Sequence, residues 1–435
     1  MTNQNKKTKQ LKGEHEKKVR PFWFYIFHPD HVLLVGLTLL FLKSLTVVLS
    51  TLSFLNPVER SLENFRMTDV FYDIYRSGEQ TDTTDLITIV DITDVFDRGR
   101  LAETLMEICD EEPAALGVDI IFEGKRDDAV GNALLQEAVQ HAIDADIPVV
   151  WARKLDKWDG EQERFTADIH SFFADSLSVT EGFVNTQNAL NGSTLRTFGT
   201  QRRIEDDIAY SLPVQLVLAF NGDSSMLNRK RDINIRYTET HFPVVDCNSI
   251  SEHSDLIKGH IVLLGAKSDP RDMHYTPLGL IPGIDVLAYT VQTIVERKMP
   301  KEPTRCQTIM IAFFLMWLVQ VSWYFIHQRM LNSRFGLLRI FGECDFTESL
   351  IAVLFTLTAV GVSFTIFISQ NYYANIGLSI IGVALLNFAR KLYCIGIESL
   401  NWVLQKKFHI DILTHSLALG NWEEEQIYFT RKRKS

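Results

Sequence analysis

Apolar residues gather into four long segments, one before and three after a long stretch of mixed character: Val32 to Phe54, Ile309 to Phe325, Leu350 to Ile368 and Ile376 to Phe388. A hydrocarbon core about 30 Å thick takes about 20 apolar residues at helical rise. Three segments qualify as they stand, and the fourth does once extended to Tyr372 and Ala389. They mostly lack the polar stripe that a core helix of a soluble protein carries, so each is predicted to span a membrane. Lys43 is the one charge inside the first. That segment starts past residue 30 and is too long for a signal-peptide core, which predicts a retained anchor rather than a cleaved leader.

Between the first and second spans the pattern shortens. Leu86 to Ile92 and Ala115 to Phe122 are Ile- and Val-rich runs, and Arg100 to Glu111 between them has Leu101, Leu105 and Ile108 at helical spacing. This predicts a strand, helix, strand unit with parallel strands. Helices are expected over Ala129 to Ala145, Tyr210 to Phe220 and Gly283 to Lys298, and strands over Ile147 to Ala152, Ile233 to Tyr237 and His260 to Gly265. The polar stretch from Arg153 to Gln201 is expected to hold loops and short strands. The fold class is an α/β domain with a largely parallel sheet, plus four transmembrane helices, one N-terminal and three C-terminal. The expected layout is a basic tail at 1–30, a span at 31–54, the domain at 57–305, a span at 306–327, a loop at 328–347, spans at 348–369 and 372–391, and a tail at 392–435.

Charge orients this layout. Lys6, Lys7, Lys9, Lys12, Lys17, Lys18 and Arg20 precede the first span, Arg329, Arg334 and Arg339 separate the second from the third, and Arg390, Lys391, Lys406 and Lys407 follow the fourth. The turn from Gln370 to Ala374 carries none. By the positive-inside rule both termini are cytoplasmic and the large domain lies outside the inner membrane. The domain holds 43 acidic and 25 basic residues, a net of −18, against −10 for the whole chain. An acidic domain argues against nucleic acid as a partner, and the basic remainder suits membrane lipid. Phe22, Trp23, Phe24, Tyr25 and Phe27, and later Trp317, Trp323, Tyr324, Tyr372 and Tyr373, supply the aromatic belts of the interfaces. Cys109 and Cys247 lie in the domain without metal-site spacing; sequence leaves a bridge between them open.

Ligands of open α/β sheets bind beyond the carboxyl ends of the strands. Asp91, Asp94 and Asp119 fall at or near such ends, and the loop after Gly265 brings Lys267, Asp269, Arg271, Asp272 and His274. Asp91, Asp94, Asp119, Lys267, Asp272 and His274 are therefore the candidate ligand-binding residues. Converging carboxylates suit Mg²⁺ or Ca²⁺, whereas the Lys, Arg and His suit an anion; the metal is left unassigned and no cofactor is expected. The plainer alternative has these acids as caps, turns and ion pairs, with Asp94 capping a helix and Asp119 buried inside a strand. Asp91-Ile-Thr-Asp94 is similar to the nucleophilic strand end of phosphoryl-transferring enzymes, with Lys267 and Asp272 as accompanying charges, but no Ser, His and Asp set or metal-binding His pair stands beside it. No catalytic residue is assigned, and a metal-dependent phosphate-ester hydrolase is the minor alternative. Thr276 to Gly283 is expected to be a structured Pro- and Gly-rich loop delivering the next helix.

The strings Leu86-Ile-Thr-Ile-Val-Asp-Ile-Thr-Asp94, Gly117-Val-Asp-Ile-Ile-Phe122, Gly259-His-Ile-Val-Leu-Leu-Gly265 and Pro282-Gly-Ile-Asp-Val-Leu-Ala288 occur in an order that resembles the CHASE-type extracellular sensor domain, second variety. That domain is found on bacterial cyclases and histidine kinases, similarly placed after one span and before three. The resemblance implies reception of a stimulus outside the cell and relay through the membrane helices. The 44 residues from Leu392 to Ser435 are too few for a kinase or cyclase domain and lack a Gly-rich phosphate loop and Asp-Phe-Gly or His-Arg-Asp strings. The chain is therefore read as a non-enzymatic sensor whose output belongs to a separate cytoplasmic signalling or regulatory protein. In the tail, Ile410, Leu413, Leu417, Leu419 and Trp422, then Arg431 to Lys434, suit an amphipathic membrane helix or a docking segment. A scaffold or assembly subunit of an envelope complex is the rival reading. A homodimer is compatible with the sequence, although no heptad or Gly-x-x-x-Gly repeat specifies one. Gln320, Thr356, Ser363 and Ser379 within the spans are read as helix-to-helix contacts rather than a solute path.

Overall fold

The computed structural model describes residues 22–51, 86–186, 194–227, 232–237, 241–342, 344–373 and 376–408, with side chains of 48–51 and 345 left aside. The basic residues from Lys6 to Arg20, and Ile410 to Lys434 of the tail, lie outside the described residues. The chain divides into two compact units, 63–302 with 367–373, and the remainder.

The remainder holds the long apolar helices. Helix α1 (Phe22–Ile26) precedes α2 (Pro29–Thr51). Four helical stretches, Phe22–Val47, Arg305–Leu331, Phe346–Gln370 and Gly377–Phe408, are long and apolar enough to cross a membrane.

In the other unit, strand β1 (Ile87–Asp91) leads to α3 (Arg98–Asp110), β2 (Ala115–Val118), α4 (Ala129–Asp144) and β3 (Val149–Asp159). There follow β4 (Arg164–Ile169), β5 (Thr180–Phe183), β6 (Thr197–Phe198), β7 (Gln201–Ile204), β8 (Asp207–Tyr210), α5 (Leu212–Asn221), β9 (Ile233–Asn234) and β10 (Val244–Asp246). Helix α6 (Ser254–Ile257), β11 (Ile261–Gly265), the hairpin β12 (Met273–Thr276) and β13 (Gly279–Pro282), and α7 (Gly283–Val295) complete it. The main sheet runs β10-β1-β11-β2-β3-β4-β7-β8, with β5 also paired to β3. From β10 through β3 and β5 every pairing is parallel.

Period-two alternation decides which face each strand residue serves. Ile87, Ile89, Ala115, Ile261 and Leu263 join one core with α5 and α7, while Val90, Leu116, Val118, Val262 and Leu264 join another with α3 and α4. Both faces are covered, which is why these strands read as continuous apolar runs. Thr88 breaks the run at little cost because its hydroxyl donates to Leu256 O at 2.5 Å. Local signals set the helix ends. Asp97, not Asp94, caps α3 by accepting from Arg100 N at 2.9 Å, and Asp128 caps α4 through Gly131 N at 2.9 Å. Gly222 closes α5 at φ 71°, a conformation that a Cβ disfavours.

Several expectations shift. Strand β2 stops at Val118, so Asp119 follows the strand rather than lying inside it. Strand β3 continues to Asp159 through what sequence reads as loop, and Thr276 to Gly283 is the second half of a hairpin rather than a loop. β1 and β2 are parallel but not adjacent, because β11 sits between them. Cys109 and Cys247 are both buried free thiols, and burial pushes the Cys109 thiol up to about 12.

Helix α8 (Arg305–Leu331) opens with a capping box in which Thr304 and Gln307 bond reciprocally. A short helix α9 (Gly336–Gly342), then α10 (Asp345–Gln370) and α11 (Gly377–Phe408) complete the chain's described part. The spans run further than their apolar centres suggest, and this draws charge into them. Arg390 of α11 pairs with Glu348 of α10 at 2.7 Å and donates to Gln320 of α8 at 2.6 Å. One turn on, Tyr393 donates to Asp30 of α2 at 2.8 Å. One face of α11 thus carries polar bonds to the three other long helices, where an unpaired polar group would be costly.

Candidate functional site

The connections after β1 and β11 diverge. From β1 the chain passes to α3 on one face of the sheet, and from β11 it passes through the hairpin to α7 on the other. Adjacent parallel strands with diverging connections open a crevice at their carboxyl ends, the usual ligand position in such sheets. Register puts Asp91 beside Gly265, and Val118 beside Leu264. The Asp119 amide continues that ladder, donating to Leu264 O at 2.8 Å.

Five of the six candidates gather at this edge in two groups. In the first, Asp91 Oδ1 accepts from Thr93 N at 2.9 Å, from Thr93 Oγ1 at 2.6 Å and from Lys267 N at 3.0 Å. Thr93 Oγ1 in turn accepts from Lys267 N at 2.9 Å and Ser268 N at 3.0 Å. This web stitches the loop after β1 to the loop after β11. The Lys267 ammonium leaves the web and pairs with Asp285 in the first turn of α7.

The second group is Asp119, Asp272 and His274. His274 Nε2 lies 3.2 Å from Asp272 Oδ1. The Asp272 carbonyl accepts from Gly283 N at 2.8 Å, and its carboxylate lies over Gly283, where a Cβ would come within 2.2 Å of Oδ2. Only glycine admits that approach. Gly265 serves similarly: a Cβ there would meet Ile284 Cδ1 at 2.7 Å and Asp119 Cβ at 3.3 Å. The Asp119 carboxylate takes no hydrogen bond among the described residues, and its pKa is raised to about 7. Burial is the main cause and the Asp272 charge adds to it, while His274 opposes them.

Asp94 stands apart. It is exposed in the turn before α3, and its carboxylate bonds to nothing among the described residues. Arg271 is exposed, with its amide on Asp269 Oδ1 at 2.9 Å in a local turn. No group of three or more His, Cys, Asp or Glu among the described residues is arranged to hold a metal ion.

Two participants escaped sequence reading. Thr93 is a loop threonine with no distinguishing mark, found only through its bonds. Asp285 did carry a signal, as a lone acid 9 % exposed in a helix whose residues from Gly283 to Ile294 are all buried. A charge in such a helix requires a partner.

The edge therefore combines one ammonium, one imidazole and four carboxylates, with Asp119 poised to change protonation near neutrality. That chemistry suits reversible recognition. No curated protein and no solved structure matches the chain. The model of the CHASE2 domain family matches residues 40–326, and the chain belongs to that family of sensory domains.

Proposed function

We propose that this protein receives an extracytoplasmic stimulus at the carboxyl edge of β1, β11 and β2 and relays it through the membrane helices to a separate cytoplasmic signalling or regulatory protein. Both termini are cytoplasmic in this reading, and the membrane is the inner one. Asp91, Asp119, Lys267, Asp272 and His274 form the receiving site together with Asp285, and Asp94, in the exposed turn after β1, stands apart from them.

The Lys267–Asp285 pair carries the proposal. Asp285 lies in the first turn of α7, and nine residues after α7 ends the chain enters α8, so whatever displaces Lys267 pulls on the helix that precedes a span. A second link supports relay. Lys301 N donates to Asn371 O at 2.9 Å and Tyr373 N donates to Lys301 O at 2.8 Å, so the domain's own unit holds the segments next to α8 and α10 together.

Affinity purification of the full chain from native membranes, beside a chain ending after Phe408, tests the reading. A cytoplasmic kinase, cyclase or regulator recovered with the first and lost with the second supports it. Recovery of envelope components alone, retained without the tail, overturns it in favour of a structural subunit. Because α11 runs unbroken through Lys391 to Phe408, a cut at Lys391 would disturb a helix and confuse the result.

A further inference from the structure

Helix α9 and the residues around it form an exposed apolar surface that packing leaves open. Phe335, Leu337, Leu338, Ile340 and Phe341 are all exposed, Leu337 at 67 % and Ile340 at 69 %. At 3.6 residues per turn, Leu337, Leu338, Ile340 and Phe341 share one side of the helix, and Gly336, Arg339 and Gly342 lie on the other. The helix is held at its last residue: a Cβ on Gly342 would lie 3.1 Å from Met330 Cβ and 3.4 Å from Leu331 Cδ2, at the end of α8, whereas a Cβ on Gly336 would meet nothing within 4 Å. The apolar side has no covering element among the described residues. Patches of this kind mark an interaction site.

Charge and continuity identify what covers it. From Ile326 to Cys344 the chain has Arg329, Arg334 and Arg339 against the single acid Glu343. Arg334 and Arg339 are exposed and pair with no carboxylate among the described residues. The nearest acid whose side chain is described, Glu348, is taken by Arg390. α9 lies in chain between two helices of membrane-spanning length, so a bilayer surface already adjoins both of its ends. An amphipathic segment with an aromatic and aliphatic face and flanking arginines is built for the boundary between headgroups and acyl chains.

We infer that α9 is an interfacial anchor, its Leu337, Leu338, Ile340 and Phe341 face seated at the acyl boundary and Arg334 and Arg339 holding phosphates of anionic phospholipid. The inference rests on α8 and α10 crossing the membrane and not on the identity of the stimulus. Anchored so, the connection between these two spans is fixed in depth, and α8 and α10 move against each other rather than piston together.

Nitroxide labels placed singly at Leu337→Cys, Ile340→Cys and Arg339→Cys in the full chain test it, in nanodiscs of phosphatidylcholine with or without phosphatidylglycerol. Cys306, Cys344 and Cys394 are replaced beforehand; buried Cys109 and Cys247 remain. With phosphatidylglycerol, labels at 337 and 340 are expected to be relaxed more by oxygen than by a water-soluble nickel chelate, and the label at 339 more by nickel. The oxygen preference is expected to fall without phosphatidylglycerol, and to fall equally in an Arg334→Gln/Arg339→Gln chain that keeps it. Nickel preference at 337 and 340 in both lipids, as an unoccupied or protein-docking face would give, overturns the inference. So does an oxygen preference that ignores lipid charge. A label at Leu357 in the middle of α10 keeps the two readings separable: nickel preference there means that the spans themselves are misread.

Discussion

The Lys267 ammonium and the Asp285 carboxylate join the end of a central strand to the start of the helix that continues toward a span. Asp285 is buried, and among the described residues Lys267 is its one charged partner. Removing the ammonium leaves a carboxylate without compensation, whereas removing both leaves a polar gap of similar shape. Lys267→Met is expected to destabilise the full chain by about 3 kcal/mol, and Lys267→Met/Asp285→Asn by clearly less than the two single changes added together. Thermal unfolding of the four chains in detergent, closed as a double-mutant cycle, measures the coupling. Simple additivity would show that the pair is incidental.

Asp119 gives the site a pH dependence of definite sign. Its folded pKa of about 7 stands above the ordinary Asp value, so between those two pH values the folded chain binds the extra proton. Stability contributed by this group therefore declines as pH rises from about 4 to 7 and levels off above. Asp119→Asn removes the decline, and at pH 8 it is expected to be more stable than the parent by on the order of 4 kcal/mol. The difference is expected to vanish near pH 4. Parallel melting curves across that range decide it.

Gly265 is a packing prediction with a built-in rescue. Alanine there sets a Cβ 2.7 Å from Ile284 Cδ1, and overpacking of this kind costs about 1–3 kcal/mol. Ile284→Val deletes the clashing methyl. Gly265→Ala is expected to lower the melting temperature, and Gly265→Ala/Ile284→Val to recover part of the loss, although Ile284→Val alone is destabilising. Absence of recovery would place the strain at Asp119 instead.

Within the helix bundle, Arg390 binds Glu348 and Gln320 together. Glu348→Gln leaves the half-buried guanidinium without its carboxylate, at a cost on the order of 2 kcal/mol. Glu348→Gln/Arg390→Gln is expected to be the more stable of the two. The same order should appear in resistance to detergent-induced unfolding.

How much of this was legible in the sequence depends on what each residue faces. β1 and β11 were plain because both of their faces are buried, so all but Thr88 and the terminal Asp91 and Gly265 are Ile, Val or Leu. The second half of β3 was not: past Ala152 the strand leaves the core and pairs in a ribbon with β4, where Leu155 is buried and Lys154, Lys157 and Asp159 face outward or part-way so. Such a ribbon has the composition of a loop. Asp91 and Asp119 were found because they lie at or just past the ends of strands, a position sequence can mark. Asp94 and Asp97 were confused because both precede the helix, and only hydrogen bonding tells which one caps it. Asp285 stayed hidden because its partner is set by tertiary packing, across the hairpin, and not by spacing.

The position of β11 has a consequence for how the domain is made. It is the last strand of the main sheet to be synthesised, yet it forms the rung between β1 and β2, with Ile261 against Ile87 on one side and Ala115 on the other. Until Ile261 to Gly265 emerge, the apolar strands near the beginning have no central neighbour to pair with. Such long-range closure makes folding slow and leaves hydrophobic edges open in the meantime. Nascent chains stopped before β11 should therefore be held by chaperones and cut readily by proteases, and protection should arrive in one step when that strand inserts.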